Sequence, residues 1–201
     1  MKQFKYGGFI FQVFNQVYLP ADDTFLLLEN LNVNYGNIVL DLGTGCGILG
    51  MTAANTASKV VLTDISPIAI KCSKQNVRLN NLSHKIEVRQ GNLFHPIKVS
   101  EKFDLILFNP PYLPISDEEK KHDWLEKAWD GGKNGRDIID NFLEKFENFL
   151  KKDGRVQMVQ TTLSNVQKTL DFLKKRNFFV EIQAEKKFLF EKILVLQVKK
   201  Q

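Results

Sequence analysis

Metal-binding residues are scarce in this chain. Of 201 residues only two are cysteine, Cys46 and Cys72, and only three are histidine, His84, His95 and His122. They stand apart, with no paired spacing that would assemble three or four ligands, so a protein-bound metal is not expected. Long apolar runs are missing too. No stretch approaches the roughly 18 residues that span a bilayer, and the start Met1-Lys2-Gln3-Phe4-Lys5 has no secretory apolar core. These absences predict a soluble, cytoplasmic protein with no membrane partner. Repeats, low-complexity tracts and linkers rich in Gly, Pro or Ser are also lacking, so residues 1–201 are read as one domain. Its first 20 residues form an N-terminal extension. With 43% hydrophobic and 25% charged residues, a chain of this size buries a substantial core.

The net charge of +5 is unevenly spread. Lys2, Lys5 and Lys59 are outweighed by Asp22, Asp23, Glu29, Asp41 and Asp64, so residues 1–64 carry −2 and the remainder carries +7. An acidic first part suits a cationic small molecule, and a basic remainder suits a ribosome-associated or nucleic-acid partner. Charge alone is equally the mark of a lysine-rich solvated surface.

Apolar runs with strand character alternate with amphipathic segments at helical spacing, the pattern of a doubly wound α/β sheet. Strands are predicted near 37–42, 59–64, 84–89, 103–108, 154–160, 178–184 and 190–198, and helices near 22–31, 46–57, 66–80, 136–151 and 163–176. Ser66-Pro67 supplies a cap and a first-turn proline, and Asp153-Gly154 is expected to end the helix over 136–151. The last two strands follow one another without a helix, which predicts an antiparallel hairpin at one edge. Residues 8–17 read as an extra short strand or pair packing Phe9, Phe11 and Val13. The expectation is therefore a Rossmann-like, seven-stranded, mostly parallel sheet with an antiparallel C-terminal hairpin and helices on both faces. The irregular stretch 109–134 is long enough to be functional.

Two loops carry the chemistry. The first, Asp41-Leu42-Gly43-Thr44-Gly45-Cys46-Gly47, opens after a predicted strand. Shifted by two, Gly45-Cys46-Gly47-Ile48-Leu49-Gly50 also fits the dinucleotide fingerprint, so the glycines alone do not choose between cofactors. Asp41, at the strand end, is placed to hold the ammonium of a bound amino acid directly or through water, and it would repel a pyrophosphate. Gly43 and Gly45 let the backbone approach the ligand without a Cβ in the way. Asp64, at the next strand tip, can accept both ribose hydroxyl protons, which indicates a nucleoside without saying which. Gln90-Gly91-Asn92-Leu93 follows the third strand, where the Asn92 oxygen can meet an adenine amino group; Gly91-Asn92 alone is also an ordinary turn.

The second loop is Asn109-Pro110-Pro111-Tyr112, directly after the apolar run Phe103–Phe108. An amide or ring-conjugated amino nitrogen delocalises its lone pair and is a poor nucleophile. The Asn109 side-chain oxygen and the Pro110 carbonyl can each accept one N–H of such an NH2 and localise the pair. These bonds strengthen as the nitrogen becomes cationic, so they favour the transition state. Pro110 and Pro111 hold the extended backbone and offer no competing N–H. Tyr112 is a wall for a flat acceptor. Taken by itself the tetrapeptide is also a rigid turn leaving a strand.

A donor loop followed by this acceptor loop resembles the class I S-adenosylmethionine-dependent methyltransferases of the amino-nitrogen branch. Residues 17–29, from Val17-Tyr18-Leu19-Pro20 through Asp22-Asp23-Thr24 to Glu29, and residues 128–137, Ala128-Trp129-Asp130-Gly131-Gly132-Lys133-Asn134-Gly135-Arg136-Asp137, are similar to segments of the short HemK-related enzymes of archaea and eukaryotes. The matches run in order over about 17–142. The resemblance implies methylation of the side-chain nitrogen of the glutamine in the GGQ loop of class I peptide-chain release factors. It also implies S-adenosylmethionine contacts at Thr24, Asp41, Gly43, Gly45, Asp64, Asn92, Leu93 and Asn109, with Asn109, Pro110, Pro111 and Tyr112 at the acceptor. Asn92 departs from the family's usual aspartate, and Leu19 stands where an acid is common.

Bacterial relatives carry an N-terminal helical domain that contacts the release factor, and this chain, whose start lies near its core, is expected to have none. Something else is expected to help hold the substrate. In the short relatives a small zinc-binding activator subunit covers an apolar surface. Phe9 to Phe14 is a candidate contact for it, and equally a core strand. Lys133 and Arg136 are candidates to engage the release factor, or the glycines around them form a turn before the next helix. Trp124 and Trp129 read as loop anchors. Two readings stay beside the glutamine acceptor: the same chemistry on an adenine or guanine amino group of RNA or DNA, and a non-catalytic cofactor-binding scaffold. The nucleic-acid reading lacks a basic, aromatic-interleaved stripe. Lysine methylation is a further variant.

Overall fold

Alternation along the central strands sets the architecture. In Ile38–Leu42, Val39 belongs to one buried cluster while Leu40 and Leu42 belong to another, and Leu105 and Leu107 oppose Ile106 and Phe108 in the same way. A sheet buried on both faces needs such near-continuous apolar strands. The structure is a computed structural model and describes residues 1–116 and 123–201; His122 and the middle of the irregular 109–134 stretch lie outside the described residues.

In chain order the strands are β1 (Lys2–Tyr6), β2 (Phe9–Val13), β3 (Ile38–Leu42), β4 (Lys59–Asp64), β5 (Ile86–Gln90), β6 (Phe103–Phe108), β7 (Leu150–Thr161), β8 (Phe178–Lys187) and β9 (Lys192–Lys200). The helices are α1 (Asp22–Glu29), α2 (Ile48–Ala53), α3 (Pro67–Leu79), α4 (Asp137–Leu143) and α5 (Val166–Lys175). The seven-stranded sheet runs β5-β4-β3-β6-β7-β9-β8. Strands β3 to β7 are parallel, and β9 lies antiparallel between β7 and β8. This is the expected mostly parallel sheet with its antiparallel C-terminal hairpin. Helices α1, α2 and α3 contribute to one buried cluster, and α4 and α5 to the other. The Ser66 cap and Pro67 start α3 as expected, with the Ser66 side chain accepting from Ala69 N.

The pair expected within 8–17 lies earlier, as β1 and β2 over residues 2–13, and two further boundaries differ from expectation. The helix over 136–151 stops at Leu143, a 3-10 turn follows at Phe146–Phe149, and β7 begins at Leu150. Phe142, Phe146 and Phe149 imitate a continuing helical face. Their rings instead pack with Phe94, Phe108 and Phe178 at centroid separations of 4.4 to 5.7 Å, and the 3-10 turn delivers them there. Asp153-Gly154 therefore ends no helix. It lies in a bulge of β7, where Leu150 pairs with Phe103 and Arg155 with Leu105. A Cβ on Gly154 would stand 2.8 Å from the Phe103 carbonyl oxygen. The second difference is α2, expected over 46–57 and found over Ile48–Ala53, because Gly47 holds φ +92°, outside the helical region.

β1 and β2 form a separate antiparallel hairpin, and it is bound into the domain. Asn76, fully buried on α3, accepts from Gln12 N (2.9 Å) and donates to Gln12 O (2.9 Å) and Cys46 O (2.8 Å). Asn80 repeats the pattern one turn on, accepting from Ile10 N and donating to Ile10 O. Two side-chain amides thus do for β2 what a neighbouring strand would. Phe11 is fully buried, and Phe9 and Phe14 pack against the same cluster. Phe11 and Val13 follow the core-strand reading of Phe9 to Phe14, while Phe9 and Phe14 themselves stay half-buried.

Removing Asn76 takes the side-chain partner from Gln12 N and from the buried Cys46 O, while Gln12 O keeps the Cys72 thiol. At about 1–3 kcal/mol for each unsatisfied group, partly relieved by water, Asn76→Ala should lower unfolding free energy by about 2–4 kcal/mol. The variant should also open the buried thiols of Cys46 and Cys72 to a thiol reagent. A denaturant melt and a labelling time course check this; a loss under about 0.5 kcal/mol would show that the clasp is unimportant.

Candidate functional site

The parallel strands deliver their C-terminal ends to one side of the sheet. The chain leaves β3 for β4 on one flank and later returns with β6 on the other, so β3 and β6 border the switch point where α/β sheets bind ligands. Leu42 pairs with Phe108. The loops that follow, at Gly43 and Asn109, are therefore neighbours. They line a cavity of about 490 Å³ together with Thr24, Asp64, Asn92, Leu93, Pro110, Pro111 and Tyr112. Every sequence-predicted site residue except Asp41 is on that wall.

The glycine loop has the backbone its sequence requires. Gly43, Gly45 and Gly47 all have positive φ, and a Cβ on Gly45 would meet nothing within 4 Å. Gly45 is thus needed for its φ and leaves its face open. Gly50 works by contact: a Cβ there would lie 2.1 Å from the Leu62 side chain. Its absence lets Gly50 N reach Asp41 Oδ2 at 3.0 Å, which also accepts from Thr44 Oγ1 at 2.6 Å.

Asp41 lies behind the loop, fully buried, with Oδ1 unpartnered. Desolvation pushes its carboxyl up to about 7 against the lowering effect of its Thr44 and Gly50 hydrogen bonds, and the nearby Asp64 charge adds to the rise. Asp64 grips the loop from the other side, accepting from Gly45 N (2.9 Å) with Oδ2 and from Ser66 N (2.8 Å) with Oδ1. Burial raises its carboxyl as well, although the Ser66 and Gly45 N–H groups oppose the shift. Leu93 takes the left-handed φ +45°, unusual without a glycine, as the chain turns past Asn92 along the cavity wall.

At the acceptor loop one amide is fully oriented. Asn109 Nδ2 donates to Asp23 Oδ2 (3.1 Å) and Thr24 Oγ1 (3.2 Å), while Oδ1 is buried with no partner. The Tyr112 hydroxyl donates to Asp23 Oδ2 at 3.0 Å. Burial and the Asp23 charge raise the Tyr112 hydroxyl far above its ordinary range, so it remains a neutral donor. Asp23 also receives the Tyr18 hydroxyl at 3.0 Å.

Asp23 and Tyr18 are the site residues the sequence reading missed. Asp22-Asp23 looks like an acidic first helical turn, but Asp23, Thr24, Leu27 and Leu28 are the buried residues of α1. The i, i+4 pairing of Asp23 with Leu27 and Thr24 with Leu28 was the available signal.

The post-acceptor loop is tied down by close contacts. Leu113 N donates to Trp129 O, Gly131 N to Leu113 O and Ile115 N to Gly132 O. A Cβ on Gly135 would stand 2.3 Å from the Tyr112 carbonyl oxygen, and Gly135 has φ +69°. The turn reading of these glycines is therefore the one found. Arg136 is not free to meet a partner. It is 2% exposed and donates to Ser164 O, Asn165 O, Asp140 and Thr169. Lys133 is exposed. Trp124 and Trp129 line the cavity, with Lys127 Nζ 4.4 Å from the centre of the Trp124 ring.

Known proteins match along the same span. A putative protein N5-glutamine methyltransferase of Methanocaldococcus jannaschii is 44% identical over 182 residues, covering 90% of each chain. A release factor glutamine methyltransferase of Clostridium acetobutylicum is 30% identical over 209 residues, covering 97% of this chain and 72% of its own. The solved structure of the E. cuniculi Mtq2–Trm112 complex, responsible for methylation of the eRF1 translation termination factor, superposes with a TM-score of 0.69 at 24% identity. It covers 92% of this chain and 99% of that one, and at that identity the likeness is one of fold. Residues 13–189 match the methyltransferase small domain family, and the chain belongs to that family.

Proposed function

We propose that this protein is an S-adenosylmethionine-dependent methyltransferase acting on the side-chain amide nitrogen of the glutamine in the GGQ loop of a peptide-chain release factor. The observation that carries it is Asn109: both amide hydrogens are consumed within the protein, and the buried Oδ1 is left without a donor. A primary amide entering the cavity supplies that donor. The names of the M. jannaschii and C. acetobutylicum relatives point to the same acceptor.

The wall fits the cofactor. Gly45 is open to the cavity where a ligand must approach the backbone. Asp64, at a strand tip on the wall, would take the ribose, and Asn92 and Leu93, on the same wall, would take the adenine. Gly43 and Thr24 complete the approach to Asn109. The buried Asp41 sits one layer back, so its influence on a cationic ligand passes through the loop, a bridging water or its field. The cofactor supplies an electrophilic methyl group on a sulfonium. When bound, it would take back the electron pair of its S–C bond as the new N–C bond forms, and the methylated nitrogen would afterwards give one proton to water.

The protein's part is to prepare the nitrogen. Asn109 Oδ1 and the Pro110 carbonyl each accept one N–H of the target, turning its lone pair toward the donor. Tyr112 and the two prolines confine the flat amide. No deprotonation precedes transfer, because an amide arrives neutral. A small activating subunit is the proposed second partner, and the Mtq2–Trm112 structure, itself a complex of two proteins, supports it. An acceptor in the translation machinery supports a cytoplasmic location; among the described residues no helix is long and apolar enough to cross a membrane.

Labelled methyl transfer to the cognate release factor, with its GGQ glutamine intact or changed to alanine and with the small subunit supplied in parallel, tests the reading. Label should disappear with the glutamine. Label on added RNA and on neither protein would replace this reading with the nucleic-acid one.

Asn109→Ala should keep cofactor affinity within about threefold while kcat falls at least about 100-fold, since the contact removed strengthens in the transition state. Asp64→Ala should do the reverse and weaken cofactor binding, measured by calorimetry; unchanged affinity would remove the ribose assignment. For Asp41 the sign follows from its raised carboxyl. Between about pH 4 and 7 the folded protein keeps a proton the unfolded chain has released, so Asp41 costs stability increasingly as pH rises through that window. In ligand-free protein, Asp41→Asn should therefore gain on the wild type in melting temperature from pH 5 to pH 8. A gap that does not change with pH would count against this.

A further inference from the structure

Five hydrogen bonds converge on the single carboxylate of Asp23. Oδ1 accepts from the Tyr18 hydroxyl (3.0 Å), the Thr24 hydroxyl (3.1 Å) and Thr24 N, and Oδ2 accepts from Asn109 Nδ2 (3.1 Å) and the Tyr112 hydroxyl (3.0 Å). The residue is 5% exposed, and these five donors are neutral. A buried anion held by neutral donors carries a desolvation cost that a purely mechanical tether would avoid. The arrangement has a chemical consequence at Asn109. An amide can turn over and exchange its oxygen with its nitrogen. Here the position facing α1 offers only acceptors, Asp23 Oδ2 and Thr24 Oγ1, so the nitrogen must point there and the oxygen away. Thr24 Oγ1 is itself an acceptor toward Asn109 because its own proton is directed to Asp23 Oδ1.

We propose that Asp23 is the positioning residue of the methyl-transfer reaction: its carboxylate fixes the Asn109 amide with the oxygen turned to the acceptor, and its negative charge strengthens that oxygen as the acceptor nitrogen becomes cationic. This rests on the proposed function for the acceptor, and it goes beyond it in naming the group that makes Asn109 competent. Asp23 is no general base, because both of its oxygens are saturated by donors. It works through Asn109 and, by the same oxygen, holds the Tyr112 ring against the acceptor. Its charge sits behind the Asn109 amide, 3.1 Å from Nδ2, where the aligned dipole transmits it without a contact that would compete for the acceptor's protons.

The test is Asp23→Asn, which keeps the volume, removes the charge and puts a donor among donors. On the release factor, kcat should fall about 100-fold, as for loss of one preorganised transition-state hydrogen bond, while cofactor affinity and KM stay within about threefold. In an Asn109→Ala background the same change should cost no more than about threefold, because the group it acts through is gone. Asp23→Glu should recover part of kcat by restoring the charge. An equal loss of cofactor affinity and turnover, or a full 100-fold loss in the Asn109→Ala background, would overturn the proposal. A readout that needs no acceptor separates this from failure of the proposed function. The Asn109 side-chain amide protons, followed by nuclear magnetic resonance, should exchange slowly in the wild type and at least about tenfold faster in Asp23→Asn. If the wild type transfers no methyl to the release factor but this difference is present, the function is wrong and the positioning stands. If the exchange rates are equal, the positioning fails whatever the acceptor.

Discussion

One register, Leu42 beside Phe108 across β3 and β6, determines what this site can do. A parallel pair releases both chains in the same direction at the same level, so the glycine loop and the Asn109 loop are adjacent without any further device. A Cβ on Gly43 would stand 4.0 Å from the Asn109 carbonyl oxygen, so whatever the two loops hold lies side by side. A slip of one residue would turn every core side chain of β6 to the wrong face. The buried alternation of Leu105, Ile106, Leu107 and Phe108 therefore protects the geometry of the site as much as the stability of the sheet.

Around that meeting point stand three buried or nearly buried carboxylates, Asp23, Asp41 and Asp64, and the donors named for them are peptide N–H groups, hydroxyls and one amide. A basic side chain at any of the three would neutralise the field locally. Neutral donors stabilise each carboxylate while leaving its charge to act on a ligand. The raised carboxyls of Asp41 and Asp64 are the cost of that choice, and a cationic ligand relieves it. Stability is traded for affinity at a site where the favourable charge is missing until the ligand arrives.

Much of this was legible in the sequence because it rests on backbone demands that few residues meet. Gly43, Gly45 and Gly47 adopt the positive φ their type permits, Ser66-Pro67 starts a helix, and two prolines restrict the backbone of the acceptor loop. What was not legible depended on tertiary partners. Phe142, Phe146 and Phe149 have helical spacing, yet only the rings of Phe94, Phe108 and Phe178 decide that the helix breaks between them. Arg136 looks like a surface cation until the Ser164 and Asn165 carbonyls claim it. Asp41 precedes the glycines as a ligand-facing acid would, but Gly50 lets α2 approach so closely that the carboxylate is enclosed. Asp23 was hidden by its neighbour, because only its i, i+4 spacing from Leu27 separates it from the exposed Asp22, and nothing local says that it faces Asn109.

The N-terminal hairpin shows why the catalytic loops cannot be understood as loops alone. Asn76 binds the Gln12 backbone with three of its hydrogen-bonding positions shared between β2 and the carbonyl of Cys46, inside the glycine loop. The same hairpin leads through Val17 and Tyr18 into α1, whose Asp23 holds Asn109. One segment therefore touches the donor loop from behind, through an asparagine, and the acceptor loop from the side, through an aspartate. A displacement of the hairpin would disturb both loops together. Separate supports would allow each loop to relax independently and lose the alignment that in-line transfer requires; a shared support makes their relative position a property of the core.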